Sequence, residues 1–274
     1  MKNLLKSIGR PVIRQTISLI EPVAGFWTDP TGWIPNRFKM LSGSYEFFLV
    51  RYICEALPEN GVFVDVGANV GFISQQVARR FPKVRVFAFE PNPRIYPILQ
   101  KNLKAFPQCE SFHVGLGAKE GTLEFFHGAE SCVGSFVPEY TSRHPSNQQR
   151  GQVAKSQVQV TTGDAALARV GTIDVMKMDV EGYEPEVLRG MSKLLAAGVI
   201  KTLFFEFCPI AQKMAHSQPE EILNLLIRSG YAIYELEGEN TGALISAEHV
   251  PALIARLGER GYTTLRANLN AASK

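Results

Sequence analysis

The chain has few cysteines, and none of them are paired in sequence. Cys54, Cys109, Cys132 and Cys208 are scattered singly through 274 residues. Without a Cys-x-x-Cys unit, neither zinc-ligand spacing nor a disulfide framework is in view, and a reducing compartment is expected. A charge excess is missing too: 29 lysines and arginines against 26 acids leave a net +3. That balance gives no ground for nucleic acid as a partner. No apolar run approaches the ~20 residues that span a bilayer, and no signal-peptide core with a cleavage site is recognised. Internal repeats and low-complexity tracts are lacking as well. What remains is ordinary, with 45% apolar and 20% charged residues. One large α/β domain with a sizeable core fits that profile. A soluble, cytoplasmic protein is the expectation.

The amino-terminal segment qualifies it. Lys2, Lys6, Arg10 and Arg14 recur at four-residue spacing beside Leu4, Leu5, Ile8, Val12, Ile13, Ile17 and Ile20. A basic amphipathic helix of this kind suits an anionic surface, so peripheral contact with the inner membrane through residues 1–21 stays open. Packing of that helix on the domain or a partner is the favoured reading, and Pro11 interrupts the pattern. Residues 1–45, rich in proline and glycine, form an N-terminal extension, irregular or helical. Residues 46–274 form the main domain.

Within that domain, apolar runs and helical spacings alternate. Strands are expected at 62–66, 84–89, about 110–115, 172–179, Leu203–Cys208, 231–236 and 262–269. Between them fall helices at 45–57, 71–80, 93–105, 183–197, 219–229 and 247–258, with Pro93 in a first turn. Thr122–Phe126 suits a hairpin. Residues 127–156 have little periodicity and read as an insertion loop of lid or binding type. The alternation predicts a mostly parallel sheet with helices on both faces.

The most informative segment runs from Val62 to Gly71, where an apolar strand enters Asp65-x-Gly67-x-Asn69-x-Gly71. Glu90 follows nineteen residues after Gly71, at the end of the next apolar run. Such a turn lets backbone approach a nucleoside, and the later carboxylate can take both ribose hydroxyls. Asp65 would repel a pyrophosphate over the turn but attract a cation. S-adenosylmethionine, with a sulfonium, an ammonium and no phosphate, fits that site. An NAD-dependent oxidoreductase fits it poorly.

A third block reads Lys177-x-Asp179-x-Glu181-Gly182-x-Glu184, continued by Leu188-x-Gly190. Together with the glycine turn and Phe89-Glu90-Pro91, in that order, it resembles the FkbM family of S-adenosylmethionine-dependent methyltransferases. The resemblance covers residues 45–210. It implies a Rossmann-like class I methyltransferase, with a mostly parallel seven-stranded sheet, that acts on hydroxyl oxygens of sugars and natural products. It also implies that Asp65, Gly67, Asn69 and Gly71 line the methionine end of the cofactor and that Glu90 takes the ribose. Pro91 and Asn92 then shape the turn beside the adenine, and Gly115 and Leu116 touch it. Here the chain departs from the family's usual Asn-Ala. Tyr45 and Glu46 resemble a pair that precedes the first core helix, with a cofactor contact implied for Glu46.

Lys177 and Asp179 share one face of their strand by the two-residue period, and Glu181 follows at its end. Ligands of open α/β sheets bind beyond the carboxyl ends of the strands, so these charges fall at the cleft mouth beside the cofactor, which Asp179 also reaches. Buried charges need partners or a ligand. A Lys177–Asp179 or Lys177–Glu206 ion pair is one reading, and a direct catalytic role for Lys177 is the other. Methyl transfer to a hydroxyl needs alignment and a base for the proton. Asp179 and Glu181 are the leading candidates, with His113 third; His144 is read as a surface residue. No ligand spacing demands a metal, and none is assigned. Phe47/Phe48 and Phe204/Phe205 are read as core. N- or C-methylation on the same fold and a non-catalytic nucleoside-binding protein remain alternatives to O-methylation of a small hydroxylated acceptor.

Overall fold

The computed structural model describes residues 10–128, 134–143, 153–258 and 261–270. In chain order the strands are β1 (Val62–Val66), β2 (Arg85–Phe89), β3 (Cys109–Phe112), β4 (Gly115–Leu116), β5 (Gly121–His127), β6 (Ala154–Thr161), β7 (Ile173–Met178), β8 (Ile200–Phe207), β9 (Tyr231–Glu237), β10 (Asn240–Ile245) and β11 (Thr263–Leu269). The described helices before β8 are α1 (Arg10–Ala24), α2 (Ile34–Leu41), α3 (Phe47–Ala56), α4 (Phe72–Arg80), α5 (Tyr96–Leu103), α6 (Pro138–Arg143), α7 (Gly163–Ala166), α8 (Glu184–Arg189) and α9 (Ser192–Ala196).

The main sheet has the order β10-β9-β11-β8-β7-β1-β2-β3. From β8 to β3 every pairing is parallel, and β11 runs antiparallel between β8 and β9. The architecture is the Rossmann-like, class I methyltransferase fold. Its main sheet has eight strands where seven were expected. The extra one, β10, pairs antiparallel with β9 at the edge and is mostly exposed, so it carries no alternation of burial to betray it. β4, β6 and β5 form a second, three-stranded sheet.

Strand alternation sorts the core into two faces. Val64, Val66, Met176, Met178, Leu203 and Phe205 pack on one side, and Phe63, Val175 and Phe204 on the other. Asp65 and Lys177 follow the second set, and they sit opposite each other in register. Two polar residues thus stand level at the upper end of an otherwise apolar face.

The N-terminal segment is helical rather than irregular. Pro11 lies in the first turn of α1, where its missing N–H costs nothing. Ile13 and Ile17 are buried, and Val12, Leu19 and Val23 are exposed. Arg37 of α2 holds a buried ion pair with Glu21 at 3.2 Å. Phe26 meets Phe72 edge-on at 5.6 Å, and the side chain of Asn102 exchanges two 2.7 Å hydrogen bonds with the Trp27 backbone. Residues 1–9 of the proposed basic helix lie outside the described residues.

The 127–156 stretch is an excursion between paired strands, since His127 and Ala154 close the β5–β6 ladder. It is not structureless. Ser135 bridges to Phe126, α6 follows, and Phe136 packs against Phe125 at 5.2 Å and Tyr183 at 4.9 Å. Cys132 and His144 lie outside the described residues. The helix expected over 183–197 is two, α8 and α9, broken around Gly190. A Cβ on Gly190 would lie 2.0 Å from the Gly117 carbonyl oxygen. Pro93 precedes α5 rather than opening it; Pro97 takes the first-turn place.

Candidate active site

The turn after β1 is shaped by one close approach. Gly67 has φ +75°, and a Cβ there would lie 1.9 Å from the Asp179 carbonyl oxygen. Only glycine lets β1 turn past the end of β7 at that distance. The amides of Gly67 and Ala68 both donate to Phe89 O at 3.0 Å, fixing the turn to β2. Asn69 continues it in the left-handed region at φ +51°, and its amide donates to Glu90 Oε2 at 2.8 Å. The Asn92 amide donates to Glu90 Oε1, also at 2.8 Å. Burial pushes Glu90 up to about 7 against those two hydrogen bonds.

Ser74 donates to Asp65 Oδ2 at 2.6 Å. Asp65 Oδ1 is buried with no hydrogen-bond partner and stands 3.5 Å from Lys177 Nζ. Lys177 donates to Gly67 O at 2.9 Å and lies 3.5 Å from Asp179 Oδ2. Burial opposes its charge, but Asp179, Asp65 and Glu46 outweigh that and hold the ammonium above its usual range. Of the two ion pairs considered from sequence, Lys177–Asp179 forms. Its other partner is Asp65, and no Lys177–Glu206 pair occurs among the described residues.

Beyond β7 the chain turns through Asp179-Val180-Glu181-Gly182. The Glu184 carboxylate caps this turn, accepting from the amides of Val180 at 3.1 Å and Gly182 at 3.3 Å. The two glutamates of the block therefore divide: Glu184 holds the loop, and Glu181 lines the cavity. Burial and then Asp179 push Glu181 well above the ordinary carboxylate range, opposed by a hydrogen bond from the Tyr140 hydroxyl. Glu206 is raised by burial, then by Asp179 and Glu181. Glu46 rises to about 6, mainly through burial and then Asp179.

These groups surround one cavity of about 680 Å³ at the carboxyl ends of β1, β2, β7 and β8. Asp65, Gly67, Asn69, Glu90, Pro91, Gly115 and Leu116 line it, as do Glu46, Lys177, Asp179 and Glu181. Among the described residues four non-glycine positions have positive φ, and three of them, Glu46, Asn69 and Glu181, are in this lining. Such conformations cost of order 1–3 kcal/mol each and gather at functional sites. Gly71 is not in the lining: it precedes α4, and a Cβ on it would lie 2.5 Å from Leu99. His113 is withdrawn as a candidate base, because it is exposed and stacks on Tyr96 at 4.5 Å outside the cavity. Phe47 and Phe48 are not core; they are 55% and 41% exposed and line the cavity. Tyr140, Phe136 and Tyr262 were not anticipated as lining residues. The regular spacing of Asp65, Lys177 and Glu206 on their strands gave no hint of these three, which come from the insertion and from the loop before β11. No three His, Cys, Asp or Glu side chains among the described residues gather to hold a metal.

A mostly parallel sheet, a glycine turn and carboxylates at two strand ends are the features of a Rossmann-like ligand site. Residues 65–233 match the methyltransferase FkbM domain, and the chain belongs to that family. It is similar to the methyltransferase sdnD of Sordaria araneosa, 29% identical over 162 residues, covering 50% of this chain and 62% of that one. The hexuronic acid methyltransferase AglP of Haloferax volcanii is 29% identical over 162 residues, covering 58% and 61% respectively. The 2-O-methyltransferase NoeI of Sinorhizobium fredii is 24% identical over 142 residues, covering 49% and 58%. The chain thus spans less than two thirds of the length of these relatives. No helix among the described residues is long and apolar enough to cross a membrane.

Proposed function

We propose that this chain is an S-adenosylmethionine-dependent methyltransferase that acts on a hydroxyl oxygen of a small sugar or natural-product acceptor. The observation that carries this reading is the cavity, with a nucleoside half around Asp65 and Glu90 and a carboxylate half around Asp179 and Glu181. The family supports methyl transfer, and the name of the NoeI relative supports oxygen as its target.

The residues fit the cofactor. Asp65 Oδ1 is buried without a hydrogen-bond partner, as suits a site that receives an ammonium group. Among the described residues Lys177 is the one cationic side chain in the lining, and Asp65 and Asp179 flank it, so the charge beside the turn opposes a pyrophosphate. Glu90, already oriented by two amides, would accept from the ribose hydroxyls. Bound there, the cofactor supplies an electrophilic methyl carbon on its sulfonium. Asp179 is the preferred base: its Oδ1 has no hydrogen-bond partner, and Lys177 fixes its other oxygen. Glu181, with Tyr140, orients the acceptor hydroxyl. Phe136 and, from α6, Tyr140 line one wall of the cavity.

The test is carbon-13 NMR of products made from methyl-labelled cofactor and hydroxylated acceptors. A methyl ether is expected, whereas an N- or C-methyl product would overturn the choice of oxygen.

A further inference from the structure

Few aromatic rings of this chain reach solvent. Among the described residues only Trp33, Phe47, Phe48 and Tyr262 are exposed phenylalanine, tyrosine or tryptophan side chains, and three of those four line the cavity. The three come from distant parts of the sequence and meet at the carboxylate half, where the acceptor enters. Phe47 and Phe48 follow Glu46 directly at the start of α3, with their rings edge-on at 5.7 Å. Glu46 is close enough to Asp179 to be raised by its charge. Tyr262 arrives with β11. Thr264 is paired with Glu206 in register, and Tyr262 continues the Thr264 row two residues beyond it. Partial burial, then Glu206, Glu181, Glu46 and Asp179, raise the Tyr262 phenol, which sets this ring beside the same half. All three rings lie outside the matched residues 65–233 and outside the motif blocks shared with the family.

We infer that Phe47, Phe48 and Tyr262 form an acceptor-binding rim, and that the acceptor is amphiphilic, with a hydroxylated head for the carboxylate half and an apolar aglycone packed on the rim. This rests on the methyltransferase reading. Apolar surface left in water beside a polar cavity marks a ligand groove, and covering it is favourable in proportion to the area removed from water. The two parts of the cavity ask for different chemistry. Asp179, Glu181 and Glu206 can accept from hydroxyls but offer an apolar group nothing. The rings do the reverse, and Met40 of α2 and Leu49 of α3 add apolar surface to the lining. The rim is also held in place before anything binds. Arg51 lies over the Phe48 ring at 5.9 Å while donating a hydrogen bond to the Glu239 carbonyl at 3.2 Å. A bare sugar would occupy the carboxylate half and leave the rim in water.

The test uses the full chain and a panel of hexose and deoxyhexose heads, each supplied as its methyl, phenyl and octyl glycoside. Binding of S-adenosylmethionine is first checked by calorimetry, and turnover is read as S-adenosylhomocysteine formed. For the heads that react, the phenyl or octyl glycoside should show a KM roughly tenfold or more below that of the methyl glycoside. Phe48→Ala combined with Tyr262→Ala should close that gap through KM rather than kcat. Phe48→Tyr combined with Tyr262→Phe, which keeps both rings, should preserve it. Equal KM values across the three aglycones would overturn the inference, and so would a gap that survives in the alanine variant. Loss of cofactor affinity in an alanine variant that is folded by circular dichroism would assign the rings to the cofactor and overturn it too. Silence of the whole panel in a chain that binds the cofactor would have the same force. Failure of the unmodified chain to bind S-adenosylmethionine would instead strike the methyltransferase reading.

Discussion

In the half of the cavity around Asp65 and Glu90, the turn is held within one β-α-β unit; in the half around Asp179 and Glu181, side chains from distant segments meet. The turn at Gly67–Asn69 is fixed by amides on Phe89 O and on Glu90, all within the β1–β2 unit. The other half takes Glu46 from the turn before α3, Tyr140 from α6, Glu181 from the turn after β7, Glu206 from β8, and Tyr262 from the loop before β11. A site built on rigid strand ends tolerates little change, while one assembled from loops can vary from relative to relative without disturbing the fold. The difference suits an enzyme class with one donor and many acceptors.

The largest effect should come from breaking the first half alone. Glu90→Ala is expected to weaken S-adenosylmethionine binding by about 100-fold or more, since a charge-assisted hydrogen bond contributes roughly 1.5–3 kcal/mol and two ribose hydroxyls are served. Calorimetry checks this against circular dichroism of the folded variant. Wild-type affinity would mean the ribose lies elsewhere. Asp179→Asn should leave that affinity within a few-fold and lower turnover by ~10²-fold. Unchanged turnover would move the base to Glu181.

Tyr140→Phe should have a milder effect, confined to the acceptor half. It removes the hydrogen bond that holds the Glu181 carboxyl down, so the rise of activity with pH should shift to higher pH with kcat/KM reduced by about tenfold or less. A pH–rate profile identical to wild type would remove Tyr140 from the site. The smallest effect concerns stability and separates the halves least. Burial raises Glu184 to about 7 against its backbone hydrogen bonds. Its contribution is fully present below the unfolded value near 4.5 and is lost as pH rises through about 7, because the folded state holds the proton longer. Thermal unfolding of Glu184→Gln should therefore lose less stability between pH 5 and 8 than wild type. Parallel curves would show that the carboxyl does not titrate there.

The same contrast explains what the sequence disclosed. Asp65, Gly67, Asn69 and Glu90 lie within one βαβ unit, where strand period and turn chemistry bring them together almost unaided. The Lys177–Asp179 pair was legible from the two-residue period, but the Lys177–Asp65 contact depends on the β1–β7 register, which no local pattern records. Tyr140 could not be read, because its segment has no periodicity and is seated by Phe136 against Phe125 and Tyr183. Phe47 and Phe48 misled for the opposite reason: helical spacing marks an apolar face, but not whether that face meets the core or a cavity. β10 and the break at Gly190 depend on an edge pairing and on a backbone contact with Gly117, both set by tertiary structure.

The most direct test of the account is calorimetric titration of the full chain with S-adenosylmethionine, S-adenosylhomocysteine and NAD in parallel. Micromolar binding of both sulfur nucleosides, with none of NAD, is the predicted result. Binding of NAD, or silence toward the sulfur nucleosides in a folded sample, would contradict the assignment of the Asp65–Glu90 half to a cationic methyl donor.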